Sequence, residues 1–167
     1  MTNGISLDDN SVQASRAVRI LQHIPYDDSV AVVREMKRVT APGGKVVLVD
    51  PDWMGLKIGV IDHLVERTLA DDSFSHVNNP EIALRSAMIM SDLGLVPVER
   101  EVVTRNFTSF DFFNKIYQIT DRLEKLRLKG SLSQDQVVNY LDKARNLSAS
   151  GGFFATVGIY VTSGTKS

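Results

Sequence analysis

The sequence predicts an α/β fold, and three observations carry that expectation. Residues 45–50, "KVVLVD", are a continuous branched apolar run with no polar alternation, which suits a strand covered on both faces. Stretches with helical spacing stand between the strand-like runs, giving the order strand, helix, strand, helices, strand, helices, strand. Turn formers mark the joints, at Pro25, at "TAPGG" (40–44), at Gly94 and at Gly130. No repeat or low-complexity linker divides the chain, so residues 1–167 read as one domain.

In chain order, a polar opening leads to a strand over Val12–Val18, and Pro25 ends the segment that follows it. Asp27 or Asp28 then offers an N-cap. In "VAVVREMKRV", Val30, Val33 and then Met36 or Val39 share one face, with Arg34, Lys37 and Arg38 on the other. That helix stops at Pro42, where Gly43–Gly44 permit a tight turn into the buried strand. Residues 56–70 predict a helix with Ile58, Ile61, Leu64 or Val65, and Leu69 on one stripe. A second helix follows, capped by Asn79, with Pro80 at its first helical position, Glu81 suited to its positive end and Gly94 at its close. "VPVEREVVTRNF" alternates as a strand, and a helix starting at Ser109 or Asp111 runs toward Gly130. Ser133 and Gln136 form a capping box for the last helix. "FFATVGIYVTSG" closes the chain as a strand.

Composition narrows the function classes. Apolar residues make up 43% and charged residues 23%, ordinary for a globular protein. A formal charge of −1 gives no electrostatic reason to expect nucleic acid or an acidic membrane. With no cysteine, disulfides, thiolate nucleophiles and cysteine-based zinc sites are excluded. His23, His63 and His76 share no metal-ligand spacing, so no metal is expected. No apolar run approaches the ~18 residues of a membrane span, and the opening is unlike a signal peptide, leaving the cytoplasm as the default location.

The stretch "RILQHIPYDDSVAVVREMKRVTAPGGKVVLVDPDW" resembles class I S-adenosylmethionine-dependent methyltransferases of the small-molecule type. In them an "LxH" segment, a helix ending "RVLxPGG" and a strand ending in an acidic residue recur in this order. "NNPEIALRSAMIMSDLGL" is similar to the helix before their penultimate strand, and "GGFFATVGIYVTSG" to their final strand. The resemblance covers most of the chain from about Ser11 onward. It implies a partial Rossmann-like methyltransferase sheet, strands four to seven with flanking helices, and a helical substrate-side insertion over 106–150. It implies methyl transfer from the sulfonium directly to an acceptor, chemistry that needs chiefly alignment and desolvation.

One departure from the family matters. Its first strand leads into a glycine-rich loop under the cofactor, and its second ends in an acid that holds the ribose hydroxyls, by the same physics as a dinucleotide site. This chain contains neither, and Asn3 stands where the family has an Asp that meets the adenine amine. The expectation is a chain that starts midway through the fold. Its Val12–Val18 strand is then an open edge, of the kind natural proteins seldom leave uncovered. A second polypeptide, a second copy or a rearranged N-terminus is expected to pair with it, and S-adenosylmethionine binding is expected to be weak or dependent on that partner.

Within this frame the candidate residues are few. His23, in the loop after the first strand, either borders cofactor and substrate or shapes the turn at Pro25. With His76 it is the candidate base for an acceptor that must lose a proton. Asn3, Arg16, Arg19 and His23 are the candidate cofactor contacts, the two arginines being equally readable as solvated or salt-bridged. Asp50, Asp52 and Trp53 form the exit of the buried strand, where open α/β sheets hold ligands; otherwise Asp50 caps a turn and Trp53 covers core. Asn78 and Arg85 complete the substrate candidates. Three functions follow: part of a methyltransferase completed by a partner, a non-catalytic regulatory partner of one, or a pocket turned to cyclisation or rearrangement.

Overall fold

The computed structural model of the chain describes residues 4–60, 62–75 and 77–167, and of 73–75 the backbone only. Among the described residues the strands are β1 (Val12–Val18), β2 (Thr40–Pro51), β3 (Lys57–Ile58), β4 (Leu95–Phe107) and β5 (Ala155–Lys166). The helices are α1 (Tyr26–Val39), α2 (His63–Ser75), α3 (Ile82–Asp92), α4 (Phe110–Tyr117), α5 (Ile119–Leu128) and α6 (Gln134–Ala149), and a 3₁₀ turn covers Leu21–His23. The fold is α/β, as the alternation of elements predicts. No helix among the described residues is long and apolar enough to cross a membrane.

The strands form one sheet in the order β1-β2-β5-β3, with β4 also paired to β5. β1 runs parallel to β2, and β5 antiparallel to it from Lys45↔Thr165 to Pro51↔Ile159. "KVVLVD" is therefore a strand with a neighbour on each side; its Val46, Leu48 and Asp50 face is buried, while Val47 and Val49 on the other face are only half-buried, less covered than the unbroken apolar run predicts. The parallel register jumps from Val12↔Thr40 to Ala14↔Lys45. Residues 41–44 thus bulge out of β2 and do not form a separate turn before it. Gly43 sits at φ +77°, where a side chain is strained, and Gly44 brings the backbone close to Gln13 O.

Two compact units emerge, one of Met1–Trp53, Val77–Val103 and Gly158–Ser167, the other of Met54–His76 and Thr104–Val157. In the first, Ala17, Val33, Met36, Val46, Leu48, Ile89, Met90 and Leu95 share one apolar core. Arg38 ties the N-terminal segment to α1, donating to Asp9 Oδ1, Ile5 O and Leu7 O, while Ile5 N–H donates to Glu35. The second unit is centred on aromatic packing. Phe113 lies 5.3 Å from Phe107, 4.8 Å from Tyr117 and 5.8 Å from Phe153, centroid to centroid. These rings fill core volume, and Phe112 and Phe154 stay exposed.

Several local expectations need correction. The helix expected over 56–70 begins only at His63, and Lys57–Ile58 pair instead with Thr156 and Ala155 of β5. The helix expected up to Gly130 is two, because Gln118 takes a left-handed φ of 52° and Thr120 N–H turns to Asn114 Oδ1. Asn79 is not the cap of α3 and Pro80 is not its first residue, because α3 starts at Ile82 with Glu81 as its N-cap. The N-cap of α1 is Pro25, and Asp27 and Asp28 lie in its first turn, where carboxylates suit the helix dipole. The capping box of Ser133 and Gln136 forms as expected.

Candidate functional site

The polar residues that come together lie where β1 and β2 end. Val18 is the last residue of β1, and Arg19 then turns left-handed at φ 55° while its N–H still donates to Val49 O. That turn directs the chain across the end of β2. Leu21 is fully buried and anchors the 3₁₀ turn, which is closed by His23 N–H donating to Ile20 O. Pro25 then starts α1. The result places Gln22, 1% exposed, over the carboxyl end of β2.

Gln22 is the hub. Its backbone N–H donates to Asp50 Oδ1 at 3.4 Å, and its carbonyl accepts from Asn79 N–H at 3.0 Å. Its side-chain Oε1 accepts from Trp53 Nε1 at 2.6 Å, and its Nε2 lies 3.3 Å from Arg19 O and 3.0 Å from His23 Nε2. Asn78 Nδ2 donates to His23 O at 2.6 Å, and Asn79 Nδ2 to Ser29 Oγ at 3.3 Å. Asn79 therefore ties the loop before α3 onto the turn after β1. Asp50 is buried, and that burial pushes its carboxyl up to about 6, opposed by the Gln22 N–H and by the charge of Arg19.

Of the residues expected from the sequence, Arg19, His23, Asp50, Trp53 and Asn78 meet in this network. Asp52 adjoins it, its N–H donating to Gly158 O. Arg16 stands mid-strand on β1 opposite Val47, and Arg85 bonds Glu81 and covers the Tyr26 ring at 5.6 Å, so neither joins the network. Asn3 and His76 lie outside the described residues. Gln22 is the residue that sequence reasoning missed. A glutamine beside the histidine of an "LxH" segment carries no chemical signature until its burial is known.

Residues 18–25 and 50–54, which line the ends of β1 and β2, contain no glycine that would let backbone close on a ligand. Gly43 and Gly44 sit in the bulge of β2, at the other end from Asp50. Among the described residues β1 pairs only with β2, and Val18 is 46% exposed. The described part of the N-terminal segment, held on α1 by Arg38 and Glu35, does not pair with that edge. No group of three or more described His, Asp or Glu residues is placed to hold a metal ion.

The chain matches no protein-family model. It is 28% identical over 158 residues to an uncharacterised 37.1 kDa protein in a transposon of Streptomyces fradiae, covering 94% of this chain and 44% of that protein. The chain thus spans less than half the length of this curated relative. Two solved structures have a similar fold. A methyltransferase candidate from Bacillus halodurans C-125 aligns with a TM-score of 0.57 at 14% identity, over 98% of this chain and 68% of that one. The YcgJ protein of Bacillus subtilis aligns with a TM-score of 0.53 at 19% identity, over the same shares.

Proposed function

We propose, from the premise that the chain has the fold of class I S-adenosylmethionine-dependent methyltransferases, that it forms the C-terminal part of a small-molecule methyltransferase. In this reading the cofactor loop comes from a further segment whose strand pairs with β1, carried by a longer version of the chain or by a second polypeptide. The observation that carries the reading is the edge of β1, unpaired among the described residues, beside a polar network at the carboxyl ends of β1 and β2. Ligands of open α/β sheets sit outside those ends, and an unpaired edge is a template for another strand.

Within the proposed site, Arg19, His23, Asp52 and Trp53 form the rim on which a substrate rests, with the Asp50 carboxyl buried beneath it. S-adenosylmethionine supplies an electrophilic methyl group when bound. The residues of this chain supply orientation and a dry wall. Leu21 and Ala17 exclude water beneath the turn, and Gln22 holds Trp53, His23 and Asp50 in fixed relation.

The test is complementation. The chain is expressed alone and together with a polypeptide carrying the first three strands of a class I methyltransferase, and native mass spectrometry reads the assembly. A complex that retains S-adenosylmethionine, set against a lone chain that does not, supports the proposal. A complex that forms without cofactor and without methyl transfer supports a regulatory partner instead.

A further inference from the structure

The contacts around Gln22 carry an inference about the proton on His23. An indole Nε1–H can only donate, so the Gln22 atom 2.6 Å from Trp53 Nε1 must be the amide oxygen. A backbone carbonyl can only accept, so the Gln22 atom 3.3 Å from Arg19 O must be the amide nitrogen. The two contacts are independent, and they agree. With the amide turned over, two donors would face each other at Trp53 and two acceptors at Arg19. The remaining N–H of that amide then points at His23 Nε2, 3.0 Å away, which has to accept. The proton of the neutral ring therefore resides on Nδ1.

We infer that Trp53 and Gln22 lock His23 in its Nδ1–H tautomer, so that His23 offers a hydrogen bond to an oxygen acceptor of the bound ligand and is not the group that takes its proton. Carboxylate, carbonyl and hydroxyl oxygens are the ligand atoms that suit such a donor. His23 is exposed, and no described residue occupies its Nδ1. Trp53 and Gln22 act through it as positioning residues. Only the ligand clause rests on the proposed function, since the tautomer is a property of the chain without ligand.

The experiment is two-bond ¹⁵N–¹H correlation spectroscopy on the ¹⁵N-histidine-labelled full chain at a pH of about 8.5, where an ordinary imidazole is neutral. The His23 signal is assigned by its loss in His23→Gln. The expected spectrum shows the Nδ1–H pattern for His23. In Gln22→Glu, whose carboxylate can only accept, the proton is expected to move to Nε2. In Trp53→Phe, which frees the amide to turn over, an averaged pattern is expected. An Nε2–H pattern in the unaltered chain overturns the inference. So does a His23 pattern unchanged in a folded Gln22→Glu variant. These readouts need no cofactor or turnover, so their failure is distinct from failure of the methyltransferase reading.

Discussion

The backbone N–H of Gln22 reaches Asp50 Oδ1 across 3.4 Å, a long hydrogen bond on a carboxylate that is 3% exposed. Burial dominates, and the carboxyl rises from 3.8 to about 6. Because the folded value lies above the unfolded one, the folded chain binds the extra proton between those values. This contribution to stability is therefore greatest below pH 3.8 and falls as pH rises toward about 6. Asp50→Asn removes the charge and keeps an acceptor for Gln22. It should raise stability by on the order of 2 kcal/mol above neutral pH, and that gain should vanish near pH 4. Urea unfolding of both proteins at the two pH values checks it. A variant no more stable at high pH would show that the carboxylate is better solvated than its burial suggests.

Gly43 and Gly44 adjoin in the bulge of β2 but are required for different reasons. A Cβ on Gly44 would stand 2.5 Å from Gln13 O and 2.7 Å from Thr40 Cγ2, while one on Gly43 meets nothing within 4 Å but inherits a φ of +77°. Gly43→Ala should cost about 1 kcal/mol from backbone strain alone. Gly44→Ala should cost roughly 2–3 kcal/mol, because β1 must move off β2 to admit the methyl group. Thermal unfolding of the two variants tests the order, and equal losses would contradict it.

Lys166 closes the far end of α1. Its Nζ donates to Asn10 Oδ1 at 2.7 Å and to the carbonyls of Lys37 and Thr40 at 2.8 Å each. A cation at a helix C-terminus that satisfies terminal carbonyls is favourable twice over, by hydrogen bonding and by the helix dipole. Lys166→Ala should cost about 2 kcal/mol, against less than about 0.5 for the exposed Lys115→Ala. Chemical denaturation reads both.

What could be read from the sequence was what depends on neighbours in the chain. Val12–Val18, the helix before "TAPGG" and the capping box at Ser133 are local patterns, and each reappears in the structure. Lys57–Ile58 joined β5 because β5 offered hydrogen bonds nearly a hundred residues away, which outweighed a helical stripe. Gln118 broke a long helical pattern by a backbone conformation that its residue type seldom adopts. At the site, acids and histidines at strand ends were visible by their chemistry. Gln22, whose role comes from burial and from partners distant in sequence, was not. Asn79 looked like a cap by its place before Pro80, yet its amide is committed to Ser29.

The edge of β1 and the absence of a glycine cradle lead to one expectation, that this polypeptide alone holds S-adenosylmethionine poorly. Isothermal titration of S-adenosylmethionine into the isolated chain tests it most directly. No saturable heat is predicted up to millimolar cofactor. A tight one-to-one isotherm from the lone, monomeric chain would contradict the account.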